Sequence, residues 1–347
     1  MVLFKNMGLE DNVILDKLDR IFLTVTNCCS ASCKLCSYWQ AKPVKYLRHS
    51  FIRDKVSPLI RRYKVAVTFI SGGEPTLHPE LIEIVKEIYR TGTSITLITN
   101  GAGLNRVFDR IRNGINAYIF SLDAATADLH RSTRGLDNFA ELISWPERIK
   151  AVNPSARVAF SCLLQKENIE HIVDIYNLLS DNGCDAIFFN VPEMKPQCFG
   201  RGSNFPKEIM KYVLLNDRDI ETLERNIEKI QDLDYLKGKL HQGEDFFSDC
   251  VQYFKFLRGE KVEFPDRVCR VPFSSLVIDE AGNLSPCFYL PFSMPLKDPG
   301  GKVAGSLKDE QLEDIVNHNY LKSIREEIQN NKKFRENYCR HCLQFQG

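Results

Sequence analysis

Between Arg20 and about Asn190 the chain repeats one pattern six times: a short β-branched or aromatic run, then apolar residues at helical spacing. The runs are Ile21–Thr26, Val65–Ile70, Ser94–Ile98, Ala117–Phe120, Arg157–Phe160 and Ala186–Phe189. Helical spacing is plain between them, as in Leu81, Ile84, Val85 and Ile88, or Ile169, Ile172, Ile175 and Leu179. Strands separated by helix-length connections pair in parallel, are buried on both faces and cross over right-handed. The prediction is an α/β fold, a partial (β/α)6 barrel of parallel strands; six units suit an open barrel better than a closed eight-unit one. Each run ends in polar or small residues: Thr26-Asn27, Ser71-Gly72-Gly73-Glu74, Thr99-Asn100-Gly101, Ser121 with Asp123, Ser161-Cys162, and Asn190. In parallel barrels an active site forms where such strand ends converge. Taken singly, these residues also suit the caps and turns that start the next helix.

The rest divides by composition. Residues 1–19 read as an N-terminal extension and 20–191 as the barrel. Residues 192–268 read as a helical connector, because Pro192, Pro196, Gly200, Gly202 and Pro206 break the alternation. There Ile220, Leu223, Ile227, Ile230, Leu233 and Leu236 recur at helical spacing behind Asn216-Asp217, a cap. Residues 269–347 form a small C-terminal unit, with a hairpin turning at Asp279–Gly282 and a helix around Leu312–Ile328. The chain holds 46 Lys and Arg against 45 Asp and Glu, a net charge of +1, so no long-range field steers it to nucleic acid. No apolar run approaches the roughly 20 residues that span a bilayer. The first residues mix charged with apolar side chains, unlike a signal peptide, and the expectation is a cytoplasmic protein without a membrane partner.

In a chain without an export signal, twelve cysteines point to metal-binding thiols before a disulfide framework. Cys29, Cys33 and Cys36 follow the first predicted strand. Three thiolates on one loop can hold three corners of a cubane iron–sulfur cluster and leave its fourth iron open; zinc would want a fourth ligand. Cys28, its neighbour pointing the other way, is expected to pack inside. Cys269 and Cys287, with Gly282 between them, join a terminal Cys339-x2-Cys342 to make four soft ligands, enough to close a zinc or an iron–sulfur site. Cys28, Cys162, Cys184, Cys198 and Cys250 remain, mostly as buried small hydrophobes. The histidines show no pairing at metal spacing, and His341 is expected to be exposed.

CSASCKLC at 29–36, SGGEPTL at 71–77, ITNG at 98–101 and SLDA at 121–124, in that order on successive strands, make the chain resemble the radical S-adenosylmethionine (radical SAM) superfamily. The match covers about residues 20–190, and Leu35 departs from it where the family usually has an aromatic residue. The resemblance implies that Cys29, Cys33 and Cys36 ligate a 4Fe-4S cluster whose open iron chelates the methionyl amine and carboxylate of S-adenosylmethionine. It implies that Gly72 and Gly73 let the backbone approach that amine, that Glu74 accepts from the ammonium, and that Pro75 stiffens the turn. Asn100, Ser121 and Asp123 fall where the family contacts the ribose or carboxylate, and Tyr38 where it meets adenine. Arg134 could pair with the ligand's carboxylate, or with Asp123 as an internal ion pair. The C-terminal cysteines resemble the SPASM and twitch extensions. A count of four after Val268 fits the twitch form, with one auxiliary 4Fe-4S cluster held by Cys269, Cys287, Cys339 and Cys342. Cys162, ending the fifth strand, is a candidate hydrogen-atom donor, as in epimerases of the superfamily.

The resemblance implies an oxidoreductase that abstracts hydrogen from an unactivated carbon, fed by an external one-electron reductant of flavodoxin or ferredoxin type. Dehydrogenation of a small alcohol or amino-sugar substrate, with the auxiliary cluster accepting an electron, is the leading expectation. Maturation or epimerisation of a ribosomally made peptide is the alternative. With only about 20 residues before the first strand, no leader-binding domain is expected, which weighs against it. A zinc-stapled, non-catalytic binding protein is the reading from another class.

Overall fold

The computed structural model describes residues 13–194, 207–264, 268–289, 296–297, 303–304, 315–339 and 341–343. The six predicted strands form as β1 (Arg20–Thr24), β2 (Val67–Ser71), β3 (Ser94–Thr99), β4 (Ala117–Ser121), β5 (Arg157–Leu163) and β6 (Ala186–Asn190). All pair in parallel, each with its sequence neighbour. Alternate residues build the two faces. Ile21, Leu23, Ile70, Leu97, Phe120 and Phe160 pack outward with the helices, while Phe22, Phe69, Ile119, Ala159 and Phe188 line the other face. Burial on both sides is why these strands read as continuous apolar runs.

The helices cover one side. After helical turns at His49–Phe51 and Ile52–Val56 come α1 (Ser57–Arg62), α2 (Leu81–Tyr89), α3 (Leu104–Ile111), α4 (Ala127–Arg134), α5 (Phe139–Val152) and α6 (Ile172–Asp181). In the connector, α7 (Asp217–Lys237) starts at a reciprocal capping box between Asn216 and Asp219, as the sequence suggests. It buries Ile220, Leu223, Ile227 and Ile230. Its end departs from the expected stripe, since Leu236 is 83% exposed. A second connector helix, α8 (Glu244–Leu257), follows.

The sheet does not stop at six strands. β7 (Ser275–Ile278) adds in parallel to β1, and β8 (Leu284–Ser285) returns antiparallel beside it through the predicted hairpin. Asp279 Oδ1 accepts from Ala281 N and Asn283 N, each at 2.8 Å, and Gly282 takes the left-handed φ of +84° that closes the turn. In an open barrel β1 is an edge with unpaired backbone groups, and β7 covers it. After β8 come α9 (Asn319–Asn330) and α10 (Lys332–Tyr338), and α9 is tied back to the beginning of the chain. Buried Arg325 donates to the carbonyls of Val13 and Val316 at 2.6 Å and of Pro272 at 3.1 Å. The expected start of this helix at Leu312 lies outside the described residues, as does Cys198.

Candidate active site

The loop carrying Cys29, Cys33 and Cys36 leaves the C-terminal end of β1 and is pinned to the end of α4: Ser32 N donates to Arg134 O at 2.8 Å and Lys34 N to Thr133 O at 3.4 Å. Gly135 allows this closeness, since it has φ +66° and a Cβ there would lie 1.8 Å from Ser32 Oγ. The three thiols share one electrostatic environment. Burial pushes Cys29 up to about 12, against a hydrogen bond from the Ala31 backbone, and Glu74, Cys33 and Cys36 add to the shift. Burial raises Cys33 too, while Arg134 opposes it. A partly buried trio of soft donors, of which Cys29 and Cys33 resist ionising alone, is what a multiply charged iron cluster would satisfy, so the donor set fits that group. Cys28 is half-buried and hydrogen-bonded to the Tyr46 side chain instead.

Gly72 and Gly73 let two segments of the chain approach each other closely. A Cβ on Gly72 would fall 2.4 Å from Thr26 O, and one on Gly73 2.3 Å from Cys28 O. The missing side chains let the β2 end seat against the segment leading to the cysteines, through Gly73 N to Thr26 O and Glu74 N to Cys28 O, both 2.7 Å. Glu74 is fully buried. Its Oε1 accepts from Thr76 N at 3.0 Å and from the hydroxyls of Thr76 and Thr99 at 2.6 Å, and its Oε2 from Asn100 N at 2.7 Å. Burial raises its pKa and these donors pull the other way. It thus braces the ends of β2 and β3, with Pro75 opening the short helical turn Pro75–Leu77 beside it. Asn100 completes the link, donating from Nδ2 to Cys29 Sγ at 3.6 Å.

Asp123 and Arg134 form a buried ion pair, Nε to Oδ2 at 2.8 Å, and Asp123 Oδ1 also accepts from Leu163 N at 2.7 Å. Burial disfavours charge on Arg134, yet Asp123 and Cys33 hold its pKa above the usual guanidinium value. Its Nη1 reaches Cys33 Sγ at 3.9 Å. Ser121 and Ser161 stand opposite each other at the ends of β4 and β5, and Asn190 Nδ2 donates to Ser161 Oγ at 2.9 Å. Tyr38 begins a short helical turn after the third cysteine and is half-buried.

Cys162 does not face this mouth. It alternates with Ser161, is 0% exposed and belongs to the sheet–helix core with Phe120, Leu122 and Phe160, its Sγ near Asn168 Nδ2 at 3.8 Å. The period-two pleat turns it away, and the hydrogen-donor role is withdrawn. Cys184 and Cys250 are buried as expected.

In the C-terminal region Cys269, Cys287 and Cys339 meet in one cluster with Val271, Phe273, Ile324, Ile328 and Phe334. Cys342 N donates to Cys339 O at 3.1 Å, placing the fourth thiol on the same tight turn. All-sulfur donors in an apolar setting fit an iron–sulfur cluster. His341 is not exposed but half-buried, its ring stacked on Phe256 at 3.8 Å between centroids.

Two features escaped the sequence reading. Trp39 Nε1 donates to Cys36 O at 2.8 Å and Cys33 O at 3.3 Å, clamping the cysteine loop. Buried His130 Nε2 pairs with Asn138 Oδ1 at 3.0 Å, and Asn138 Nδ2 donates to Asn100 O at 2.9 Å. The indole's position next to the third cysteine was a usable signal for Trp39; nothing local marks the His130 pair.

Comparison with known proteins agrees with this geometry. The Radical SAM superfamily model matches residues 23–179, and a SPASM model, an iron–sulfur cluster-binding domain, matches residues 269–343. A probable GTP 3′,8-cyclase of Sulfurisphaera tokodaii is 24% identical over 54% of this chain and 59% of its own. The AdoMet-dependent heme synthase of Methanosarcina barkeri is 22% identical over 72% of this chain and 67% of its own. The chain thus spans about three fifths to two thirds of these curated relatives. Among solved structures, Streptococcus suis SuiB bound to S-adenosylmethionine superposes with a TM-score of 0.63 at 13% identity, over 90% of this chain and 68% of that one. The structure anSMEcpe with bound AdoMet gives 0.61 at 17% identity, over 95% and 91%. These likenesses establish a shared fold.

Proposed function

Since the chain belongs to the radical SAM superfamily and carries a C-terminal SPASM-type iron–sulfur domain, we propose that it catalyses a net two-electron oxidation at an unactivated carbon, of a peptide in the first instance. It is an enzyme whose cofactors are a 4Fe-4S cluster, S-adenosylmethionine and auxiliary iron–sulfur centres. Together, when bound, the first cluster and S-adenosylmethionine supply a 5′-deoxyadenosyl radical that removes a hydrogen atom from such a carbon. The chain's own part is to hold and exclude. Cys29, Cys33 and Cys36 would bind the cluster, Asn100 and Arg134 would donate toward its sulfur ligands, and the Glu74 brace would keep β2 and β3 in register beneath it. Ser121, Ser161 and Asn190 would offer polar groups to the nucleotide and substrate at the strand ends.

The observation carrying the oxidative reading is the second thiol set. Cys269, Cys287, Cys339 and Cys342 supply four protein ligands, which suits an auxiliary cluster to taking up an electron rather than binding substrate. A peptide substrate is favoured by the fold neighbours: SuiB was solved with a precursor peptide, SuiA, and anSMEcpe with a peptide and AdoMet. A small alcohol or amino sugar stands second, supported by the four-cysteine count of a twitch-type site. Both readings keep an external one-electron reductant and a cytoplasmic setting; no helix among the described residues is long and apolar enough to cross a membrane.

The test is anaerobic purification with iron and sulfide analysis. Roughly eight irons per chain are expected, falling by about four when Cys29, Cys33 and Cys36 are all changed to Ala. Dithionite with S-adenosylmethionine should yield 5′-deoxyadenosine slowly, and faster once the right peptide is added. Stoichiometric zinc in a colourless protein would reject both cluster assignments.

A further inference from the structure

We propose that the strap following the third cysteine, residues 38–48, is the docking patch for an acidic one-electron carrier protein. The proposal rests on the cluster assignment above and adds where on this chain electrons enter. The first observation is charge. The chain is balanced as a whole, yet residues 29–53 hold Lys34, Lys42, Lys45, Arg48 and Arg53 and no Asp or Glu. Lys34 is paired with Glu167 and Arg53 with Asp54, and Glu280 lies near Lys45; Lys42 and Arg48 make no ion pair among the described residues. The second observation is apolar exposure. Trp39 is 41% exposed, Val44 46% and Tyr46 39%, three of the ten large hydrophobic side chains exposed among the described residues, all within eight residues.

The third observation is attachment. The strap folds back antiparallel to the end of β1, with Thr26 and Tyr46 as bridge partners. Thr26 Oγ1 donates to Lys45 O at 2.9 Å, Lys45 N to Asn27 Oδ1 at 2.7 Å and Asn27 Nδ2 to Pro43 O at 3.1 Å. The patch is therefore fixed to the backbone that leads into Cys28 and Cys29. At its other end the exposed Trp39 indole is hydrogen-bonded to the carbonyls of Cys33 and Cys36. A carrier seated here would have one indole between itself and two of the residues assigned as cluster ligands. A small apolar centre rimmed by cations matches the small, wet, charge-steered interfaces of transient electron-transfer pairs. In the step served, one electron leaves the carrier's reduced flavin, which passes to its semiquinone, and lowers the charge of the cluster held by Cys29, Cys33 and Cys36 by one.

The experiment uses the iron-loaded protein and a bacterial flavodoxin, an acidic flavoprotein, as probe. Stopped-flow absorbance follows cluster reduction by flavodoxin hydroquinone and, separately, by dithionite; calorimetry follows binding of oxidised flavodoxin. In the wild type the association rate should fall steeply as salt rises. The double variant Lys42→Glu, Lys45→Glu should lower it ~10-fold or more at low salt and weaken binding, with dithionite reduction unchanged. Val44→Ser should weaken binding without altering the salt dependence. If the double variant loses its iron, Lys42→Gln alone should still slow the flavodoxin reaction. Equal loss of both reductions, wild-type flavodoxin rates in the variants, or patch-dependent binding of a nucleic acid in place of flavodoxin would each overturn the proposal. A wild type that dithionite reduces but flavodoxin does not bind would sink the docking patch and leave the cluster assignment standing.

Discussion

Glu74→Gln separates a brace from a ligand. Glu74 gathers three donors on Oε1 and one, Asn100 N, on Oε2, and no water reaches it. An amide can keep the three only by turning its NH2 toward Asn100 N, which sets two buried donors face to face where a 2.7 Å hydrogen bond stood. A hydrogen bond to a charged acceptor contributes about 1.5–3 kcal/mol, and a stranded buried donor costs about 1–3 kcal/mol. Removing a buried charge returns part of this, leaving a net loss of about 1–3 kcal/mol. Urea denaturation of the anaerobically purified protein would read the loss as a lower midpoint at unchanged slope. Thr99→Val removes one of the same donors, so the two changes should be non-additive by about 0.5 kcal/mol or more. A Glu74→Gln protein within about 0.5 kcal/mol of wild-type stability that no longer binds S-adenosylmethionine would refute the brace, because the carboxylate would then act on the ligand.

Three further outcomes follow from the same geometry. Gly73→Ala drives a methyl group into Cys28 O and should break the two 2.7 Å bonds joining β2 to the cysteine segment, costing about 2–4 kcal/mol and lowering iron retention at the first site, read by iron content after gel filtration. Asp123→Asn leaves Arg134 buried without its counter-charge, and a thermal-melt series should show a loss of about 3 kcal/mol or more, larger than for Ser121→Ala. His78 is buried and neutral: its Nδ1 accepts from Glu80 N, so Nε2 donates to Leu47 O, and burial holds its pKa below 6.5. The unfolded chain therefore takes up the proton first, and the stabilisation present above pH 6.5 should drain away as pH falls toward the folded value. A shallower pH dependence of the melting temperature in His78→Gln would support this; an unchanged one would refute it.

Periodicity and punctuation carried the barrel. Val67–Ser71 or Ala117–Ser121 could be placed to within a residue or two because a strand buried on both faces must be apolar throughout and stop where the polar ends begin. The grouping of Cys29, Cys33 and Cys36 was legible for a related reason, since spacing on one loop is local information. Cys162 was misplaced because a shift of one residue in a strand exchanges the two faces, and only the pleat of the formed sheet says which residue looks into the mouth. β7 on the edge of β1 was invisible for the opposite reason: its partner lies some 250 residues away in the chain.

The amino-acid order alone determined that Cys29, Cys33 and Cys36 share one short loop and that six parallel strands would bring their ends together, because both follow from short-range spacing. Tertiary structure alone decided that Gly72 and Gly73 lie against Thr26 and Cys28, that Glu74 is hydrogen-bonded to Thr76, Thr99 and Asn100, and that Asp123 pairs with Arg134. Those outcomes depend on distances between segments remote in sequence, and a residue's chemistry does not reveal which of its possible partners will be nearest.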